Sequence, residues 1–192
     1  IYAHGVADPR AEGEELVLRS SRPLVMVNRE GARFTSEAPD HSYGQGQDLV
    51  SQTDQLGFYI FDGATRSQLI LMDPMVLEIE GELPSLDDME SSGQLVKAQT
   101  MTGLAQGLGV DPDGLIATTD SVNQALDEGS NDSLWGSPLQ VDRILTPPFF
   151  GIRVVPSLAK SFGGIEVDTQ GRVLDAAGAP SIRSHCERAE GC

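Results

Sequence analysis

An α+β fold is what this sequence predicts, and three features predict it. Short apolar runs of strand length stand at residues 24–27, 58–61 and 149–155, each beside a turn or proline signal. Between the second and third run, two helical patterns meet at Gly109-Val110-Asp111-Pro112, where glycine stops one helix and an Asp-Pro step opens the next. Near the end, short alternating runs at 165–168 and 172–175 flank Thr169-Gln170-Gly171, the pattern of a β-hairpin whose glycine takes up positive φ.

Taken in order, residues 1–23 are mixed and charged around an apolar patch, Leu16-Val17-Leu18. From Arg22, RPLVMVNREGARFTSEAPD reads as the strand 24–27, a turn at Arg29-Glu30-Gly31 and a second strand near Arg33-Phe34. The turn-rich stretch 39–46 is expected to line an opening. After the strand at 58–61, Asp62-Gly63 leads into an amphipathic helix over 64–71. Residues 73–93, with Pro74, Pro84 and many acids, read as loop with weak helical potential. Leu95, Met101, Leu104 and Leu108 have helical spacing and predict a helix from about 93 to 107. The next helix carries Leu115, Ile116, Val122 and Leu126 on one face and ends near Gly129. Residues 130–146 form a polar loop around Trp135. The rest is organised around Pro147 to Asp175: a strand, a loop at 156–162, the pair Gly163-Gly164 and the hairpin. A glycine pair between strands marks a simple turn or the close approach of a backbone or flat ligand.

Thirteen basic residues against twenty-nine acidic ones give a net charge of −16. Such a chain repels phosphate backbones and anionic headgroups, which excludes nucleic acid and membrane surfaces as partners. A local cluster of cations still admits an anionic substrate. No apolar run reaches the roughly 18 residues of a membrane span, and no signal peptide is visible. Cys186 and Cys192 fall in the last seven residues, so no disulfide framework is expected, and a cytoplasmic protein is. His4, His41 and His185 have no ligand spacing, so no metal site is expected. The chain begins at Ile1 rather than methionine, which leads us to expect a fragment or a processed product. A dinucleotide fingerprint is missing. Gly44-Gln45-Gly46 has Leu49 at the third glycine's place, and Gly107-Leu108-Gly109 is followed by Pro112.

The stretch from Pro147 has two prolines, two aromatics, an apolar strand, a small-residue loop, Gly163-Gly164 and a hairpin ending at Asp175. It resembles the segment joining the capping domain to the flavin domain in the fumarate reductase and 3-ketosteroid dehydrogenase family of FAD-dependent oxidoreductases. Val27, Asn28, Gly31, Arg33, Phe34 and Glu37 resemble the opening of that family's capping domain. Asp62 to Arg66 and the sequence LGVDPDGL extend the likeness over most of residues 20–178.

The resemblance implies an α+β flavoprotein capping (substrate) domain with a flanking β-hairpin remnant of the FAD-binding domain. Residues 1–23 would be an N-terminal remnant of the FAD domain and 24–150 the capping domain. Residues 151–180 would supply a strand, a flavin-contact loop and a hairpin, and 181–192 a divergent tail. The implied partners are a small-molecule substrate and an FAD-binding domain missing from this chain. FAD would belong to the full-length parent and would not be held by this chain alone. The implied activity is reduction or dehydrogenation of an activated C–C bond. The alternative is a non-catalytic binding module, or a truncated inactive product, that reuses the cap fold.

The resemblance also nominates site residues. Arg66 matches the arginine that gives a proton to substrate carbon in fumarate reductases; read from the residues alone, it is equally a solvated cation at a helix start. Glu37 matches the glutamate of the proton-delivery path, or else is a cap or surface carboxylate, and His41 stands where fumarate reductases have an arginine. Ala159 and Lys160 replace two histidines that hold a substrate carboxylate. Lys160 retains a charge for an anion and is otherwise an ordinary solvated cation. Phe150 stands at or near the tyrosine that acts in 3-ketosteroid dehydrogenases and lacks its phenol. Tyr43 is the nearest phenol to replace it. Ser161, Phe162, Gly163 and Gly164 are the implied flavin contacts, through small side chains and exposed amides. These departures leave the substrate open.

Overall fold

Strand β4 (Gly57–Asp62) is buried at all six positions because both of its faces are covered. It lies in a seven-stranded sheet with β1 (Tyr2–Ala7), β2 (Glu15–Arg19), β3 (Val25–Val27), β5 (Ile70–Met72), β6 (Leu95–Ala98) and β7 (Phe149–Leu158). The spatial order is β3-β4-β7-β1-β2-β5, with β6 also pairing β7, and every registered pair is antiparallel. The long strand β7 is the hub. Along one edge it pairs β4 from Gly57↔Val154 to Asp62↔Phe149; along the other it pairs first β6 (Lys97↔Phe150) and then β1 (Gly5↔Val155). The computed structural model describes residues 2–7, 15–19, 21–72, 85–132, 134–158 and 164–185.

Successive strand side chains point to opposite faces, so the apolar runs divide into two cores. One holds Met26, Tyr59, Phe61, Phe150, Ile152 and Val154. Onto it pack Leu49 of α1 (Ser42–Val50) and Met89 of α3 (Leu86–Ser91). The other holds Val25, Val27, Phe58 and Ile60. It is covered by Leu104 of α4 (Met101–Leu108) and by Leu115 and Val122 of α5 (Pro112–Glu128). Burying each large apolar side chain contributes about 1.5–3 kcal/mol, so the double-sided sheet is what holds the site's elements in place.

The predicted helix junction forms as read. Gly109 ends α4 in the left-handed conformation, Asp111 accepts from the Gly114 N–H as N-cap, and Pro112 takes the first turn of α5. The predicted turn at Gly31 docks on that junction. Gly31 has φ +73°, and a Cβ there would lie 2.2 Å from the Leu115 nitrogen, so only glycine fits both the conformation and the approach. The Thr118 hydroxyl donates to the Gly31 carbonyl at 2.6 Å, tying the turn to α5.

The chain divides into two units, Ile1–Ala159 and Lys160–Cys192. In the second, the expected turn at Thr169-Gln170-Gly171 forms between Val167 and Val173, which bridge antiparallel. Asp168 stabilises it by accepting the Gln170 and Arg172 backbone N–H groups at 2.9 and 3.0 Å. The Arg172 N–H above all holds the Asp168 carboxyl below its usual range. Strand β8 (Arg172–Leu174) then pairs with β9 (Pro180–His185).

Several expectations are corrected by the sheet. The capping domain with a flanking remnant of another domain is not what forms. Strands β1, β2 and β7 are hydrogen-bonded into one sheet with β3 to β6, because β7 needs partners on both edges to satisfy its backbone. The helix expected over 64–71 stops after the four residues of α2 (Gly63–Arg66), and Ile70–Met72 pairs with β2 instead. Leu95, read as helical, lies in β6, where its alternation with Val96 suits the edge of β7. The region read as loop contains α3, closed by a capping box between Ser85 and Asp88. No helix among the described residues is long and apolar enough to cross a membrane.

Candidate functional site

Arg66 is carried to its place by Asp62. At the end of β4 the Asp62 carboxylate, 3% exposed, accepts four backbone N–H groups. Ala64 and Thr65 donate to one oxygen at 3.1 Å each, and Leu145 and Thr146 to the other at 3.2 and 3.1 Å. The first pair caps α2; the second ties the loop before Pro147-Pro148 to the same turn. Asp62→Ala leaves all four donors short of an acceptor and is expected to cost about 3 kcal/mol. Urea unfolding measures this, and an unshifted midpoint would show that water replaces the carboxylate without penalty.

At the other end of that turn, the Arg66 guanidinium lies 5.3 Å above the Phe150 ring. Phe150 is itself stacked on Phe61 at 5.6 Å. Arg66 pairs with Asp87 and, at 3.7 Å, with Glu90 of α3. Glu90 also binds Lys97 of β6 at 2.9 Å, and the Lys97 ammonium sits 5.9 Å from the centre of the same Phe150 ring. Two cations therefore share one aromatic floor and one carboxylate. The Arg66 side chain is 26% exposed, and its buried Nε–H has no partner among the described residues. A partly exposed guanidinium beside a second cation offers a planar fork of donors that suits a carbonyl or carboxylate oxygen. The sequence resemblance nominated Arg66 and noted Phe150 only as a phenylalanine lacking the family's phenol; Lys97 and Glu90 it did not mark. Their only signal was the pairing of β6 with β7, which puts Lys97 opposite Phe150.

Glu37 belongs to a second cluster. It is 5% exposed and accepts the Met26 N–H at 3.2 Å, the Arg33 Nε–H at 2.9 Å and an Arg33 Nη2–H. Arg33 Nη2 also donates to Asp132 at 2.7 Å, and the guanidinium lies 5.0 Å from the Trp135 ring centre. Burial opposes the arginine's charge, yet the hydrogen bonds and charges of Glu37 and Asp132 outweigh it and push its pKa further up. The Tyr59 phenol is pushed up by burial and then by the Glu37 charge. Tyr59, Phe61 and Phe150 belong to one apolar core. His41 binds Asp48 at 2.9 Å, and Asp48 accepts from Thr35.

Lys160, Ser161, Phe162 and Gly163 lie outside the described residues, as does the Tyr43 side chain, whose backbone is in α1. Gly164 is exposed, with nothing within 4 Å of where a Cβ would stand.

The antiparallel sheet thus carries two cations, Arg66 and Lys97, over Phe150, each paired with a carboxylate of α3. Residues 7–181 match the FAD binding domain family, and the chain belongs to it. It is similar to urocanate reductase of Eggerthella lenta, at 25% identity over 170 residues, 85% of this chain and 25% of that protein. It is also similar to 3-oxosteroid 1-dehydrogenase of Mycobacterium tuberculosis, at 29% identity over 181 residues, 81% of this chain and 31% of that protein. Its fold is shared with 3-ketosteroid Δ1-dehydrogenase from Sterolibacterium denitrificans, with a TM-score of 0.64 at 22% identity, over 93% of this chain and 35% of that one. The chain spans about a quarter to a third of the length of the curated relatives it matches.

The family match corrects three expectations together. The chain is not a capping-domain portion of the family, the FAD-binding domain is not a partner missing from it, and FAD is not to be assigned only to a longer parent. The match to the FAD binding domain itself occupies nearly the whole sequence. The glycine fingerprint is one way of gripping a pyrophosphate and does not define family membership, so its absence does not remove the domain. The described residues do not themselves form that cradle, because every registered strand pair among them is antiparallel and none supplies a parallel-strand crevice. The assignment of FAD therefore rests on the family match.

Proposed function

We propose that the protein acts as an FAD-dependent oxidoreductase that reduces or dehydrogenates an activated C–C bond, with Arg66 meeting the substrate. The observation that carries this reading is the partly exposed Arg66 guanidinium on Phe150, beside the ammonium of Lys97. Such a group polarises a carbonyl or carboxylate conjugated to the reacting bond and stabilises charge that develops there. Glu37, bound by Arg33 and the Met26 N–H, is proposed as a proton-handling group on the strength of the sequence resemblance. Lys160 and Tyr43 are proposed as further substrate groups, and Ser161, Phe162, Gly163 and Gly164 as flavin contacts, on the strength of the sequence resemblance. Relatives named for urocanate, fumarate and 3-oxosteroids support a substrate whose double bond is conjugated to an oxygen function.

The test is a flavin absorption spectrum of the purified protein, followed by dye-coupled assays. Fumarate and urocanate are the probes for reduction and a 3-oxosteroid for dehydrogenation. A flavin spectrum with turnover of one probe is expected. Absence of both flavin and turnover would sink the proposal.

A further inference from the structure

We propose that a cavity at the start of β6 is a binding site for a small organic carboxylate with a one-ring apolar body. It does not rest on the reaction assigned to Arg66. Successive side chains of β7 face opposite sides of the sheet, so Arg153, opposite Phe58, lies on the face away from Phe150, the side that α4 and α5 cover. Helix α4 comes down closely on that face, since a Cβ at Gly107 would lie 2.6 Å from Val96 Cγ1. The helix then ends at Leu108, and β6 begins only at Leu95, opposite Ile152. Where these two ends meet lies a cavity of about 270 Å³, lined by Phe58, Gln94, Val96, Leu108, Arg153 and Val155 among others.

Two polar side chains stand in this largely apolar lining, and each lacks a partner among the described residues. Arg22, Arg29, Arg33, Arg66, Arg143 and Arg172 all pair with a carboxylate. Arg153 is exposed and pairs with none of the described acids, in a chain whose net charge is −16. The Gln94 Oε1 is buried and has no hydrogen-bond partner among the described residues. The last torsion of a glutamine is soft, so the amide turns to present its oxygen or its NH₂ to the cavity. Apolar walls with one cation and one amide are complementary to a ring that bears a carboxylate. A single guanidinium in so acidic a chain selects a monoanion over a phosphate dianion, whose second charge the remaining carboxylates repel.

The test titrates benzoate into the full chain with its valine methyl groups isotope-labelled. The Val96 and Val155 signals are followed by NMR and assigned by their loss in Val96→Ala and Val155→Ala. Saturable shifts at both are expected, with a Kd of about 1 mM. Benzyl alcohol, which lacks the charge, and inorganic phosphate, which lacks the ring, should each bind about tenfold more weakly. Arg153→Gln should weaken benzoate about tenfold, and Arg153→Lys less. Both should fold, because the side chain is exposed; should Arg153→Gln fail to, the comparison of benzoate with benzyl alcohol on the wild-type chain decides. Unchanged benzoate affinity in Arg153→Gln, phosphate or benzyl alcohol binding as tightly as benzoate, or no shift at about 20 mM benzoate overturns the proposal. Shifts of the same methyl groups with protein concentration alone would give the surface to a second copy of the chain and overturn it too.

Discussion

Under the proposed function, Arg66→Gln is expected to lower turnover of an activated C–C substrate by about 10²–10³-fold, the usual worth of a donor positioned on developing charge. The fold should tolerate the change. Arg66 is partly exposed, its partner Asp87 is 82% exposed, and ion pairs of that kind contribute at most about 1 kcal/mol. The stacking on Phe150 adds a cation–π term of similar size. Activity is thus separable from stability at this position, and flavin content and urea midpoint should stay near wild type while turnover collapses. Arg66→Lys should recover little. A lysine retains the charge but not the planar fork that spans Asp87, Glu90 and an incoming oxygen. Lys97→Gln gives the contrast, since its ammonium stands over the same ring as a second cation, and its loss should weaken substrate affinity more than the maximal rate. Wild-type turnover in Arg66→Gln would move the reacting centre elsewhere in the protein.

Arg33→Ala has the largest expected effect on stability, a loss of about 3–5 kcal/mol at neutral pH. The substitution strands two buried carboxylates, Glu37 and Asp132, that a single guanidinium holds in the native protein. It also removes the surface on which Trp135 rests. Urea unfolding measures the loss. The double variant Arg33→Ala with Glu37→Gln should regain part of it, having one stranded charge fewer. A double variant no more stable than Arg33→Ala would mean that the carboxylates are solvated once Arg33 is gone, and the cluster's electrostatic account would fail.

The two clusters differ in how much of them the sequence announced. Arg66 and Glu37 are nominated by resemblance, while Asp62 is marked only as part of the strand-to-helix step that leads to Arg66. Asp132 and Lys97 carry no local mark: each is one acid or one lysine in a polar stretch, and each acquires meaning only from a residue far along the chain. The helix read over 64–71 fails for a related reason. Its apolar positions suit a helix and a strand equally over so short a run, and pairing of Ile70–Met72 with β2 decides between them. The capping assignment failed differently, because it turned one missing motif into a missing domain.

By itself the sequence determined the features whose hydrogen bonds close within a few residues. The cap at Asp111, the proline beside it, the left-handed turn at Gly31 and the hairpin turn at Gly171 are of this kind. Residue type and spacing fully specify such contacts. Tertiary structure alone decided that Asp132 meets Arg33, that Lys97 joins Arg66 over Phe150, and that β7 holds neighbours on both edges. Those contacts depend on strand register and on two-sided packing of the sheet. Both are set by the whole pattern of burial, and no short window of residues contains it.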